Sequence, residues 1–245
     1  MAIKIPDIAI INRSSVVSDQ DVAAATNAVQ KQINDNFAPV WNQIALLVVM
    51  TKFDAIPPGF WTMIIADDTD QANALGYHLQ DTTPAGFVFA KTDASYGLSW
   101  TVTYSHEILE MLADPWVAAT ALKMDPVTKQ PLALISWEVC DPVEADDLGY
   151  AIDGIRLSDF VYPAYFQDWN TYSAYDKMGH IAAPFEVARG GYVSGFVPGQ
   201  GWVSQQTAHQ STRLARRGPY SRTSRRPQAL AESLRNHQPL KSRPL

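Results

Sequence analysis

His106, Glu107 and Glu110 are the residues of this chain whose types and spacing carry chemistry most directly. They lie in Tyr104-Ser105-His106-Glu107-Ile108-Leu109-Glu110-Met111-Leu112-Ala113-Asp114-Pro115, where Tyr104, Ile108, Leu109, Met111 and Leu112 recur at helical rather than alternating spacing. A helix is expected from near Ser99 to Asp114-Pro115, because a proline cannot continue the turn. Side chains four apart on a helix share a face, with β-carbons roughly 5–6 Å apart, so His106 and Glu110 can close on one metal ion. Glu107 points toward the edge of the same site and stands where a general base would. The pattern is the His-Glu-x-x-His zinc motif with glutamate in place of the second histidine. The plainer alternative is an ordinary helix whose polar face is solvated.

Two ligands hold an ion weakly, and zinc sites in proteins use three or four. The next donors are in Ser136-Trp137-Glu138-Val139-Cys140-Asp141-Pro142-Val143-Glu144, where Glu138 and Asp141 are the nearest candidates. If that segment is a strand, Glu138 and Cys140 share one face and Asp141 points to the other. Asp114, two helical turns past His106, together with Cys140 and His180, could either bind the ion or hold one of its ligands in place. A strand end leading into an acidic turn, a small buried cysteine and a loop histidine are the simpler accounts of these residues. Zinc is the expected ion because of the histidine. Calcium or manganese is the lesser alternative that a second carboxylate introduces. An extra anionic ligand also lowers the ion's Lewis acidity, so hydrolysis by metal-bound water is expected to be slow or absent with Glu110 in that position.

The elements that must position this helix come before it. Residues 8–11 are a short strand candidate. Ser18-Asp19 caps a helix over 22–37, with Pro39 just beyond it. Residues 44–51 and 60–66 read as buried strands on either side of Pro57-Pro58-Gly59, and 86–90 as another strand bounded by Pro84 and Asp93. The order is therefore strand, helix, three strands, then the motif helix. After it come a strand over 132–139, a hairpin over 150–157, an aromatic run over 160–166, and turns at Gly190-Gly191 and Pro198-Gly199-Gln200-Gly201. The aromatic residues Trp137, Tyr162, Tyr165, Phe166 and Trp169 read as core rather than as a binding platform.

His106 to Pro115, the Glu138-x-Cys140-Asp141 cluster, Ser158-Asp159-Phe160-Val161-Tyr162-Pro163 and Gly190-Gly191-Tyr192 together resemble a group of uncharacterised bacterial and phage proteins with a zincin-like His-Glu-x-x-Glu helix. The resemblance covers about residues 98–202. It implies an α+β, metallopeptidase-like fold: a small mixed sheet with a backing helix and a motif helix, followed by an irregular β-rich C-terminal part. Zincins line their substrate cleft with an edge strand of that sheet. His106 and Glu110 would then be ligands and Glu107 the catalytic residue, with a peptide or protein as substrate. Trp116 stands where the stricter metzincin pattern has a third histidine. The competing expectation is a non-catalytic structural or assembly component, for example of a phage particle, on the same scaffold.

Composition fits a globular protein of 245 residues, 47% of them hydrophobic. The expected division is one domain over 1–204, with halves 1–116 and 117–204, and a basic tail over 205–245. The net charge of −6 is unevenly spread: residues 1–212 hold 10 Lys+Arg against 24 Asp+Glu, whereas 213–245 hold 9 against one. The tail is too poor in apolar residues to order itself by burial. Its Arg213, Arg216, Arg217, Arg222, Arg225 and Arg226 suit an acidic surface, nucleic acid, or a neighbouring subunit in an assembly. The longest apolar run is 44–50, so no signal peptide, membrane span or membrane partner is expected, and the expected location is cytoplasmic or virion-associated. A single cysteine excludes an intramolecular disulfide.

Overall fold

A computed structural model describes residues 5–70, 74–169 and 173–206 of the chain. Strand β1 (Asp7–Asn12) lies between β2 and β3 in a five-stranded sheet ordered β2-β1-β3-β5-β4, with β2 at Leu46–Met50, β3 at Trp61–Ala66, β4 at Gly76–Gln80 and β5 at Pro84–Phe89. β1 is parallel to β2 and β3, and β3 is parallel to β5. Only the edge strand β4 runs antiparallel, with His78 opposite Gly86. Ile8, Ala9, Ile10 and Ile11 are all buried, as a central strand covered on both faces requires.

Helix α1 (Asp19–Gln32) packs Val22, Ala25, Ala28 and Val29 into the core. It starts where the sequence predicts, because Ser18 and Asp21 form a reciprocal capping box. It does not run unbroken to Phe37. Residues Ile33–Phe37 form a π-turn, with the Ala38 amide donating to Ile33 O, before a short helix α2 (Ala38–Trp41). Pro39 accounts for this: its ring would press on the Asp35 carbonyl in an α-helix, and widening the turn relieves that contact.

After the short helix α3 (Ala90–Ser95) comes α4 (Trp100–Ala113), which has the predicted extent and is buried on every side: residues 101–112 are all inaccessible to solvent or nearly so. A helix buried all round belongs in the middle of a protein. Tyr104 Oη lies 3.1 Å from Thr26 Oγ1 on α1, and the Ser158 amide donates to Ser105 Oγ at 2.7 Å. His106, Glu107 and Glu110 therefore sit in the core, not on a solvated face.

The C-terminal half is a second, antiparallel sheet ordered β11-β10-β7-β6, with β6 at Thr120–Met124, β7 at Pro131–Ser136, β10 at Tyr192–Val197 and β11 at Gly201–Gln206. The predicted hairpin is present as β8 (Tyr150–Ile152) and β9 (Ile155–Leu157), turned by Asp153-Gly154 with positive φ at both positions. Long irregular segments separate these pieces, so the architecture is α+β with several sheets and few helices. Buried residues from both halves form one continuous core. The expected tail boundary at 205 moves, since β11 reaches Gln206. The tail beyond it, with its six arginines, lies outside the described residues. Among the described residues no helix is long and apolar enough to cross a membrane.

Candidate metal centre

The expected pair is in place: His106 Nε2 lies 3.2 Å from Glu110 Oε1 across one turn of α4. Asp141 Oδ1 approaches the same ring nitrogen at 3.3 Å. His106, Glu110 and Cys140 each place a donor atom within 4.8 Å of the others, and all three are buried. The Cys140 amide also donates to Glu110 Oε1 at 3.2 Å, which fixes the orientation of that carboxylate.

Cys140 and Asp141 converge because the segment is not the predicted strand. β7 stops at Ser136, and the chain bends through residues 137–140 into a 3-10 turn at Asp141–Val143. Strand alternation therefore does not apply, and neighbouring residues face the same point. The turn is buttressed by the segment leading into β10: the Ala188 amide donates to Pro142 O at 2.9 Å, and a β-carbon on Gly191 would stand 2.2 Å from that oxygen. Gly190-Gly191, expected only as turn chemistry, supplies this close approach at its second glycine.

Sequence reasoning missed His78. It projects from edge strand β4, with Nδ1 3.2 Å from Glu107 Oε2 and 3.7 Å from Glu110 Oε2, while Nε2 faces Glu138 Oε2 at 3.7 Å. Glu107 is thus held against the edge strand, and Glu138 stands beside His78. A β-carbon on Gly76 would come within 2.9 Å of Glu107 Oε1, so glycine there leaves room for the carboxylate. The only sequence signal for β4 is the alternation of Tyr77 and Leu79 around His78 before the turn at Asp81-Thr82-Thr83.

Two further candidates hold other parts of the chain. Asp114 accepts the amides of Ala118 and Ala119 at 3.0 and 2.9 Å, tying down the chain as it leaves α4. His180 sits with Leu148 O at 3.2 Å and Asp159 Oδ2 at 3.9 Å. Asp176 accepts the His180 and Ile181 amides there. Burial, and then the hydrogen bond with Asp176, pushes the Asp159 carboxyl up to about 9.

The donor set fits a cation. Glu107, Glu110, Glu138 and Asp141 gather around two imidazoles, all at most 5% exposed, and no lysine or arginine is among the buried residues described. Four carboxylates against at most two imidazolium charges leave net negative charge in a low-dielectric interior, which protons or a metal ion must offset. Burial pushes the Asp141 carboxyl up, and the Glu110 charge adds to the effect. Burial and Glu110 likewise raise the Cys140 thiol. Donors about 2.0–2.1 Å from a tetrahedral ion stand roughly 3.3 Å apart. The spacings of 3.2 and 3.3 Å around His106 Nε2 match that edge. One ring N–H can serve only one of those carboxylates linearly, whereas a cation serves all the donors at once.

No protein-family model, curated protein or solved structure gives a significant match to the chain.

Proposed function

We propose that this chain is a zincin-like metal-binding protein, with zinc as its ion and peptide hydrolysis as its activity. The observation that carries the proposal is the convergence of Glu110 Oε1 and Asp141 Oδ1 on His106 Nε2 at 3.2 and 3.3 Å, in a buried site that also reaches Cys140. The layout supports it as well: a mixed sheet with one antiparallel edge strand and a backing helix precedes the motif helix, and Glu107 faces that edge strand. His106, Glu110 and Asp141 would hold the ion, with Cys140 beside them, which leaves a fourth position for water or substrate. When bound, the ion would polarise a peptide carbonyl and acidify a water, though less than with a second histidine because Glu110 and Asp141 are anionic ligands. Glu107 would accept the proton from the attacking water. His78, 3.2 Å away, keeps the carboxylate turned into the site. Glu138 lies on the other side of the His78 ring, 3.7 Å from Nε2.

A second reading is a structural metal centre in a non-catalytic assembly component. Complete burial of His106, Glu107 and Glu110 favours it, because structural zinc sites are closed and catalytic ones keep an open position. Elemental analysis of the purified chain and a peptide-cleavage assay of wild type against Glu107→Gln separate the readings. Bound zinc that is lost in His106→Ala, with cleavage at least a hundredfold slower in Glu107→Gln, upholds the first. Bound zinc with no cleavage by wild type selects the second, and absence of metal overturns both.

A further inference from the structure

Glu110 turns its two carboxylate oxygens toward two different imidazoles. Oε1 faces His106 Nε2 at 3.2 Å, and Oε2 faces His78 Nδ1 at 3.7 Å. His78, Glu107 and Glu110 form a second group whose donor atoms all come within 4.8 Å of one another, and all three residues are buried. We propose that the centre has a second cation subsite, built from His78 Nδ1, Glu107 and Glu110, with Glu110 bridging it to the ion at His106.

The ring of His78 is arranged for this role. A cation at Nδ1 requires the ring proton on Nε2, and Nε2 faces Glu138 Oε2 at 3.7 Å. The 3.2 Å contact of Nδ1 with the Glu107 carboxylate is one a ring proton on Nδ1 makes, and a cation in its place would move that proton to Nε2, on the side of Glu138. Charge favours the same outcome. Three carboxylates, Glu107, Glu110 and Glu138, stand within 3.2 to 3.7 Å of one imidazole, and that imidazole contributes at most a single positive charge. Both carboxylate oxygens of Glu110 are also oriented, Oε1 by the Cys140 amide and Oε2 toward His78. A carboxylate presented in this way can span two ions, which in two-metal sites stand roughly 3.5–4 Å apart.

The two subsites differ in hardness. The one at His106 includes a thiol, while the one at His78 offers one nitrogen and carboxylate oxygens only, a set that suits manganese as well as zinc. With the second subsite empty, Glu107 is a base. With it filled, Glu107 becomes a ligand. The inference rests on the reading of His106 and Glu110 as ligands of a first ion.

The test strips the full-length chain with a chelator and titrates it with Zn(II) and, separately, Mn(II). Calorimetry and elemental analysis after desalting give the stoichiometry, and circular dichroism checks that each variant is folded. The expected result is two ions per chain in wild type and one in both His78→Gln and the isosteric Glu107→Gln. The second binding event should be weakened at least tenfold in each. One ion per chain in wild type, unaffected by either substitution but lost in His106→Ala, overturns the second subsite and leaves the first reading standing. Two ions that persist in both variants overturn it too, because the second ion then binds elsewhere. No ion in wild type overturns the first reading itself.

Discussion

Residue 76 shows how tightly the centre is built. A β-carbon there would meet Thr103 Cγ2 at 2.7 Å, Phe87 O at 2.8 Å and Glu107 Oε1 at 2.9 Å. The middle contact is backbone in the neighbouring strand, so no side-chain rotation relieves it. Gly76→Ala is expected to cost about 1–3 kcal/mol, read as a lower denaturation midpoint, and to displace Glu107. Metal bound at His106 should survive while cleavage falls, and an unchanged midpoint would count against the packing argument. The same scale explains which site residues were legible. His106 and Glu110 could be read as a pair because one helix fixes their spacing whatever the rest of the fold does. Asp141 and Cys140 could be shortlisted by type, but their convergence depends on a bend after Ser136 that an apolar run does not announce. His78 pairs with Glu107 across 29 positions of sequence, and only the docking of β4 against α4 brings them together.

At the scale of elements, the strands with continuous β-branched character and helices α1 and α4 were legible, whereas α3, β4, β6, β10 and β11 were not. β4 is five residues long with only Tyr77 and Leu79 to mark it, and β6 carries a lysine and a threonine in five positions. Connections between elements are held by local polar contacts of the kind a sequence pattern conceals. Ser14 Oγ and Ser15 Oγ each donate to Asp67 at 2.6 Å, and the Ser15 amide adds a bond at 2.9 Å, which ties the end of β1 to the end of β3. These hydroxyls hold the Asp67 carboxyl down at about 2. A carboxyl whose folded pKa is depressed contributes stability above its unfolded value, and that contribution disappears as pH falls through the folded one. Asp67→Asn should therefore cost roughly 1 kcal/mol at pH 6, since the site is partly solvated. The gap between variant and wild-type denaturation midpoints should close as the pH approaches about 2. A gap that stays constant across that range would show that the contact is not electrostatic.

For the whole molecule, the dominant fact is an acidic interior without buried lysine or arginine among the described residues. Burial raises the Asp141 carboxyl, with the Glu110 charge adding to it, and Asp159 is pushed up to about 9 beside Asp176. Groups of this kind keep protons in the folded chain that the unfolded chain releases near pH 4, so the folded state binds more protons across the window from there to about 9. In that window these groups make the metal-free protein less stable as pH rises. Metal reverses the slope, because a cation replaces protons on its ligands and binds more tightly as they ionise. With free metal at a hundred times its dissociation constant, the gain at a given pH is about 2.7 kcal/mol. Thermal melts at pH 5 and pH 8, with chelator and with excess zinc, should give lines of opposite slope that diverge toward pH 8. Asp159→Asn, which removes a carboxyl beside Asp176 and His180, should flatten the chelated line while leaving the metal-induced shift at each pH in place. Parallel lines for the two conditions would mean that the buried carboxylates are not the groups that take up the ion.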